Sequence, residues 1–181
     1  MRSALSIMQG EHEAFATALQ TLCSRLRTVR AHAIKPHLKP FATGISFIET
    51  FIDHFHHPKE DEFLFPALCR RTRDADDALR ELQFDHATGP HMLEELKASL
   101  ARAQTGGIAE LDHFADEMER YARVQLKHIN MEDGVVMPIA RRVLAARDWE
   151  EIDRAFRANL DPLFSAALRG KLGGLFRPVT V

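Results

Sequence analysis

The chain has 181 residues, a formal net charge of −2, and ten histidines set among 26 acidic residues. This length suits one domain whose hydrophobic core needs no disulfide support. Because there is no basic excess to neutralise phosphates, we expect neither nucleic acid nor an anionic membrane surface as a partner.

The two cysteines, Cys23 and Cys69, lie far apart in sequence and form no CxxC pair, so neither a disulfide framework nor a cysteine zinc site is indicated. No segment reaches the apolar length of a membrane span, and the N-terminus lacks an uninterrupted apolar signal region. We therefore expect a cytoplasmic protein.

Apolar residues recur at helical spacing in four long stretches, and no alternating β-branched runs argue for strands. The first predicted helix covers about residues 2–32 and ends near the prolines of residues 34–40. The second covers about residues 41–71, and Pro58 is expected to kink it.

The third predicted helix covers about residues 75–103 and the fourth about residues 108–146. Four amphipathic helices with short connections predict an all-α fold, an antiparallel up-down-up-down four-helix bundle. Asp148 is expected to cap a further short helix. We therefore divide the chain into a bundle of residues 1–147 and a C-terminal helical extension of residues 148–181.

An internal duplication marks the polar part of this pattern. The residues that line the apolar face of helix 1, here called the seam, recur in helix 3 at an offset of 74 positions. This offset aligns His12 with His86. Helices 2 and 4 repeat at an offset of 72, so that HHPKEDEFLFP at residues 56–66 matches HINMEDGVVMP at residues 128–138. Each half of the chain thus supplies a lone histidine and an HxxxE pair.

Six side chains are predicted to meet at one height of the bundle, because each connection places them at similar distances from the helix ends. They are His12, His56, Glu60, His86, His128 and Glu132. A single histidine on an apolar face is more often a hydrogen-bonded core residue than a ligand. Four histidines at the same height as two carboxylates indicate a metal site instead. Buried carboxylates with no lysine or arginine on the seam need a cation to balance their charge.

Mixed imidazole and carboxylate ligands without thiolate suit iron, manganese or zinc. Iron is favoured over zinc and manganese. Ferritin-like di-iron bundles use an ExxH motif on two helices. Here ExxH is found once, from Glu110 to His113, and lies off the seam, which disfavours that family.

With His12, HHPKEDEFLFP, DHATGP and HINMEDGVVMPIA in this order, the sequence resembles the hemerythrin-like HHE cation-binding family over about residues 1–146. The resemblance implies a bundle around two non-heme iron ions bridged by an oxo or hydroxo group. It also implies that the six residues named above are ligands, with Glu60 and Glu132 bridging the irons.

Three further residues enter as alternatives. His57 is a seventh candidate ligand, because in some members the residue after the helix-2 histidine also binds metal; otherwise it is a supporting or surface imidazole. Oxygen-carrying hemerythrins have an HxxxH pair on helix 3, but Pro90 stands at the second position here, which argues against reversible oxygen transport. His91 follows, and it is an alternative ligand if Pro90 distorts the helix, although a supporting role is favoured. Asp133 is an alternative to Glu132, although the duplication favours Glu132.

Two more residues of the seam each have a structural and a functional interpretation. Gly89 replaces the large Phe15 of the first half, and it either opens space for a small molecule or lets two helices pack closely. Tyr121 lies two turns before His128, and it is either an ordinary core residue or a hydrogen-bond donor to a ligand.

The function that this pattern favours is a non-enzymatic di-iron protein that binds or senses a small ligand such as dioxygen, nitric oxide or peroxide. A di-iron redox enzyme, for peroxide breakdown or iron-dependent repair, is the first alternative. An iron storage or homeostasis protein is another. A structural zinc bundle is disfavoured, because bridging carboxylates match a closed tetrahedral site poorly.

Overall fold

The computed structural model describes residues 3–32 and 37–158, and within these ranges the chain is helical with no strand. Five continuous helices follow one another: α1 (Ala4–His32), α2 (residues 39–69), α3 (Asp76–Thr105), α4 (residues 108–143) and α5 (Ala146–Ala158). The prediction of an all-helical fold is confirmed. Within the described ranges, no helix combines the length and the apolar character that crossing a membrane would require.

Helices α2 and α4 alternate between α-helical and π-helical hydrogen bonding. In α2 the α-helical segments Lys39–Ile48, His57–Lys59 and Phe65–Cys69 are separated by the π-helical segments Glu49–His56 and Glu60–Leu64. In α4 the π-helical segment Glu132–Val136 separates Ile108–Met131 from Met137–Val143. A π-helical turn pairs residue i with i+5, so it holds one residue more than an α-helical turn and rotates the face that follows.

Each π-helical segment ends two residues before a proline, namely Pro58, Pro66 or Pro138. Proline has no backbone N–H, so it cannot bond to the carbonyl four residues earlier, and in all three cases that carbonyl lies inside the π-helical segment. The expected disturbance at Pro58 therefore takes the form of a changed hydrogen-bond register. Pro90 differs, since α3 continues through it as α-helix with Pro90 exposed.

Helices α3 and α4 pair along their length. The connection between them ends α3 at Thr105 and begins α4 at Ile108, close to the predicted positions. A Cβ on Gly106 would lie 2.9 Å from the Arg102 carbonyl oxygen, so position 106 has room for glycine alone. Farther along, Arg120 pairs with Glu95 and Lys127 with Glu81, so the start of one helix lies beside the end of the other.

The hydrophobic core is divided into two clusters. In each of α1 to α4, one end of the helix contributes to the first cluster and the other end to the second. The first cluster contains Phe15, Leu19, Phe41, Ile48, Leu93, Leu96, Phe114 and Met118 among others. The second contains Met8, Leu64, Phe65, Leu82, Val136, Met137, Ile152 and Phe156 among others. The predicted ligands lie between the residues of these two clusters in the sequence of each helix, except that Ile129 of the first cluster follows His128.

Helix α5 packs against α1 and α2. Its Asp153 accepts a hydrogen bond from the backbone N–H of Ala4 at 2.6 Å, and its Phe156 is fully buried. The expectation that Asp148 caps this helix is wrong, because α5 begins at Ala146 and Asp148 lies inside it. The Asp148 carboxylate accepts a hydrogen bond from the backbone N–H of Ala145 and pairs with Arg71. Residues 159–181 of the predicted extension lie outside the described ranges.

Candidate metal centre

Seven buried side chains between the two hydrophobic clusters form two groups with the composition of metal sites. Within each group, one nitrogen or oxygen atom per residue lies within 4.8 Å of those of the others. The first group is His12, His56, Glu60 and Glu132, and the second is His57, Glu60, His86 and His128. These are the seven residues that the sequence singles out, and Glu60 belongs to both groups.

Both glutamates extend between the groups. Glu60 places Oε1 at 3.2 Å from His56 Nε2 and Oε2 at 3.7 Å from His86 Nε2. Glu132 places Oε2 at 3.0 Å from His12 Nε2 and Oε1 at 3.5 Å from His128 Nε2. Each carboxylate thus directs one oxygen atom to each group, which is the arrangement that a carboxylate bridging two cations requires.

The four carboxylate oxygens of Glu60 and Glu132 are buried and have no hydrogen-bond partner. Burying an unpaired carboxylate costs several kcal/mol, so such atoms are rare in folded proteins unless a cation binds them. The nearest buried lysine, Lys59, pairs with Glu11 instead. Imidazole and carboxylate donors with no thiolate fit iron, manganese or zinc, and the residues present therefore fit a metal-ion site.

Four of the histidines are oriented by carboxylates on neighbouring helices. The Nδ1 atoms of the four rings donate at 2.8 to 3.2 Å. The pairs are His12 with Asp133, His56 with Glu11, His86 with Asp61, and His128 with Asp85. An N–H donated from Nδ1 leaves Nε2 with its lone pair directed inward, and such a partner raises the basicity of a metal-binding imidazole.

Each of these carboxylates is the chain neighbour of another candidate ligand. Glu11 precedes His12 as Asp85 precedes His86, and Asp61 follows Glu60 as Asp133 follows Glu132. Sequence reasoning named the ligands but missed Glu11, Asp61 and Asp85 as their partners. The duplication contained the signal, since an acidic residue occupies each of these positions at the same offsets of 74 and 72.

Glu11 differs from the other three carboxylates. Its side chain is 5% exposed, whereas Asp61 and Asp133 are 42% and 40% exposed. Besides His56, Glu11 accepts from Lys59 Nζ at 3.0 Å, and the Lys59 ammonium lies 4.5 Å from the ring centroid of Phe156 in α5. Since solvent cannot screen this carboxylate, a buried lysine balances its charge.

His57 has no counterpart in the duplication, because Ile129 stands at the matching position of α4. The π-helical segment Glu49–His56 precedes it, and both His56 and His57 are buried. The His57 ring stacks on the ring of His86, with centroids 3.8 Å apart. Burial, together with the neighbouring histidines, lowers the pKa of His57 well below its ordinary value, so the ring is neutral, the form in which an imidazole binds a metal ion.

Without a bound metal ion, protons on the histidines of the first group take the place of the cation. Burial alone lowers the pKa of His12, but the hydrogen bond to Asp133 and the negative charge of Glu132 outweigh it and raise that pKa to about 9. For His56, burial is outweighed by the charge of Glu60 and the hydrogen bond to Glu11, and the pKa rises to about 10. Burial raises the pKa of Glu132, yet its histidine partners hold it well below its ordinary value.

The structure separates the alternatives that the sequence left open. His91 is 79% exposed and lies 3.7 Å from Glu95, so it is not brought to the two groups. Asp133 contacts His12 at Nδ1, on the side of the ring away from the centre, whereas Glu132 points inward. Tyr121 is buried in the first hydrophobic cluster.

A family description and three curated proteins match the chain. The family description "Hemerythrin HHE cation binding domain" matches residues 3–140. An uncharacterised protein of Mycobacterium bovis and two of Mycobacterium tuberculosis are each 27% identical to the chain over 109 residues, which is 60% of this chain and 42% of theirs. The chain thus spans less than half the length of these curated relatives. Together with its metal-binding geometry, the match to residues 3–140 shows that the chain belongs to the hemerythrin HHE cation-binding domain family.

Proposed function

We propose that this protein binds two metal ions, most favourably iron, and uses them to bind or sense a small ligand such as dioxygen, nitric oxide or peroxide. The observation that carries the proposal is the sharing of Glu60 between two buried donor groups, with all four oxygens of Glu60 and Glu132 lacking hydrogen bonds. In this proposal Glu60 and Glu132 bridge the ions, His12 and His56 bind one, and His57, His86 and His128 bind the other.

The fold that accompanies this proposal is an up-down-up-down four-helix bundle formed by α1 to α4. It is supported by the order of the two hydrophobic clusters, which reverses from each helix to the next. We also propose the metal-binding unit as residues 1–147 and the extension as residues 148–181. The packing of Phe156 over Lys59 supports a contact between the extension and the unit.

Unequal donor sets favour a ligand-binding role. The first group has two imidazoles and the second has three, so one ion receives fewer protein donors. Iron and manganese accept more ligands than the four of a closed tetrahedral zinc site. Imidazole–carboxylate sites with open coordination positions are typical of iron proteins that react with oxygen species. An added small ligand can occupy the position that the missing imidazole leaves.

Metal analysis and optical spectroscopy test the proposal. The protein is purified from iron-supplemented cells, and its spectrum is recorded in air, after anaerobic reduction, and on return to oxygen. Two irons per chain with near-ultraviolet charge-transfer bands are expected, and a reversible change with oxygen supports ligand binding rather than turnover. Stoichiometric zinc in place of iron, or a folded protein without bound metal, would contradict it.

A matched pair of variants ties the metal to the site. Glu60→Leu removes the residue shared by both groups, whereas Glu62→Leu changes an exposed residue two positions away in the same π-helical segment. The proposal requires metal loss in the first variant and normal loading in the second. Equal metal content in both variants would place the bound metal elsewhere.

A further inference from the structure

Lys59 in α2 is a buried cation that neither donor group contains. Its side chain is 4% exposed, and its Nζ donates to both oxygens of Glu11, at 3.0 Å to Oε1 and 3.3 Å to Oε2. A lysine is almost never buried unless an anion pairs with it. Replacing a buried ion pair by apolar residues of similar size is often neutral or stabilising, so such a pair contributes little to stability. Its position beside the candidate metal centre indicates another role.

The pair of Lys59 and Glu11 holds one histidine of the first donor group. Glu11 Oε2 also accepts a hydrogen bond from Nδ1 of His56 at 2.8 Å. Because Lys59 contacts both oxygens of Glu11, it limits the rotation of the carboxylate and, through it, the orientation of the His56 ring. On the other side of that ring, Nε2 lies 3.2 Å from Oε1 of Glu60. The lysine thus acts through a carboxylate on the direction of a candidate ligand atom.

This arrangement belongs to the first group and not to the second. His56 is a member of the first group alone, and Glu11 is also the chain neighbour of His12, the other imidazole of that group. In the second group, the carboxylate partners of the histidines are Asp61 and Asp85. No lysine or arginine within the described ranges pairs with either of them. A change at the buried lysine should therefore affect the first ion more than the second.

Helix α5 shields the lysine from water. Phe156 is fully buried, and its ring centroid lies 4.5 Å from Lys59 Nζ, which is a cation–π contact. The same helix is held in place by Asp153, which accepts a hydrogen bond from the backbone N–H of Ala4 at 2.6 Å. Without α5, water would reach the ammonium, and an ion pair in water holds its partners more weakly than a buried one. Docking of α5 therefore keeps Glu11 paired.

We propose that Lys59 is a positioning residue that couples the docking of α5 to the binding of the first metal ion, the ion held by His12 and His56. With α5 docked, Lys59 keeps Glu11, and through it His56, in the orientation that binds the ion. Coupling between two binding events is reciprocal, so a bound ion in turn stabilises the docked position of α5. This inference rests on the proposed function, since it needs an ion in the first group.

Hydrogen exchange of the full chain, with and without ferrous iron under anaerobic conditions, measures the docking of α5. A bound ion slows every exchange event that requires global unfolding, so the test is the comparison of α5 with α3 and α4. We expect iron to slow exchange of the α5 amides at least about tenfold in the unmodified protein. Lys59→Met should abolish this effect in α5 and retain the protection of α3 and α4.

Phe156→Leu tests the coupling without changing the ion pair or a donor. Leucine keeps an apolar side chain in the second hydrophobic cluster but lacks the ring over the ammonium, so we expect the variant to fold. In a titration with ferrous iron, one of the two binding constants should weaken about tenfold and the other should not change. Tenfold is the lower end of the effect of outer partners of metal-binding histidines.

Trp149→Leu is the matched control for Phe156→Leu. Trp149 is another aromatic residue of α5, and it packs, partly buried, against the same hydrophobic cluster. Its replacement leaves Phe156 over the lysine, so neither binding constant should change. Equal weakening of the constants in both variants would attribute the effect to lost packing and overturn the inference.

The remaining outcomes separate this inference from the proposed function. Suppose that the unmodified protein binds two ions, that iron protects α5 equally in the unmodified and Lys59→Met proteins, and that Phe156→Leu keeps both constants. The inference is then overturned, and the metal site stands. If the unmodified protein binds no metal, the proposed function fails and the inference fails with it. Should Lys59→Met not fold, the titration of Phe156→Leu decides.

Discussion

Glu11 accepts a hydrogen bond from His56 Nδ1 at 2.8 Å and another from Lys59 Nζ at 3.0 Å, and all three side chains are buried. Through this pair, a residue next to the candidate ligand His12 holds the candidate ligand His56 of another helix. Phe156 of α5 covers the lysine, so three successive contacts link helix α5 to a candidate metal ligand.

Removing one partner of this buried pair should destabilise the protein strongly. Lys59→Met leaves the Glu11 carboxylate with His56 as its remaining partner, and breaking a buried pair costs at most about 3–5 kcal/mol when no other cation compensates the charge. The double variant Glu11→Gln/Lys59→Met removes both charges and should recover most of that loss. Urea unfolding of the metal-free proteins measures both. Additive losses in the double variant would show that the two groups do not interact.

The carboxylate partners of the histidines should control metal affinity without binding metal themselves. Asp61→Asn keeps the shape of the side chain that orients His86 but removes its charge. We expect metal affinity to fall about 10- to 100-fold, as for other outer partners of metal-binding histidines. Competition with a chromophoric chelator measures the constant. Glu62→Gln, its exposed neighbour, should leave the affinity unchanged; an equal loss there would implicate surface charge.

The two ions should respond differently to loss of His57. His57→Leu removes a donor from the second group alone, whereas the first group keeps its four residues. We expect this variant to retain one tightly bound ion and to hold the second weakly. Metal analysis after gel filtration, followed by titration with ferrous iron, separates the two constants. Loss of both ions in parallel would mean that the two groups act as one site.

Metal binding should release protons. The pKa values of His12 and His56 are raised to about 9 and about 10, and their Nε2 atoms lie 3.0 Å apart, so at neutral pH the pair shares at least one proton that an ion must displace. Apparent metal affinity should therefore increase as pH rises from about 6 to about 9. Calorimetry in two buffers with different ionisation enthalpies gives the number of protons released. Identical heats in both buffers would contradict this prediction.

Helical periodicity and the duplication sufficed for the all-helical fold and for the positions of the candidate ligands. Their regular spacing follows from the helix itself, so residues such as His12 and His86 can be aligned without knowing the packing. Helix boundaries were predicted to within about three residues, as at Thr105 and Ile108.

Two kinds of feature were beyond this reasoning. In a π-helical segment the amide N–H bonds to the carbonyl five residues earlier instead of four. Which of the two carbonyls it bonds to depends on packing as well as on the prolines, since α3 has no π-helical segment at Pro90. Contacts such as His128 with Asp85 join different helices, so their existence depends on helix rotation. A lysine is ordinarily expected at the surface, and Lys59 is buried because α5 covers it.

The π-helical segments that begin at Glu60 and Glu132 have a consequence for how the centre accommodates its ions. Ionic radius changes with oxidation state and with the identity of the metal, and a rigid α-helical ladder would transmit each adjustment to the hydrophobic clusters. Glu60 and Glu132, the two glutamates proposed as bridges, lie where the ladder changes register, and regular α-helix resumes at Phe65 and Met137. We therefore expect small shifts of these two glutamates to be taken up at the changes of register, with less displacement of the two hydrophobic clusters.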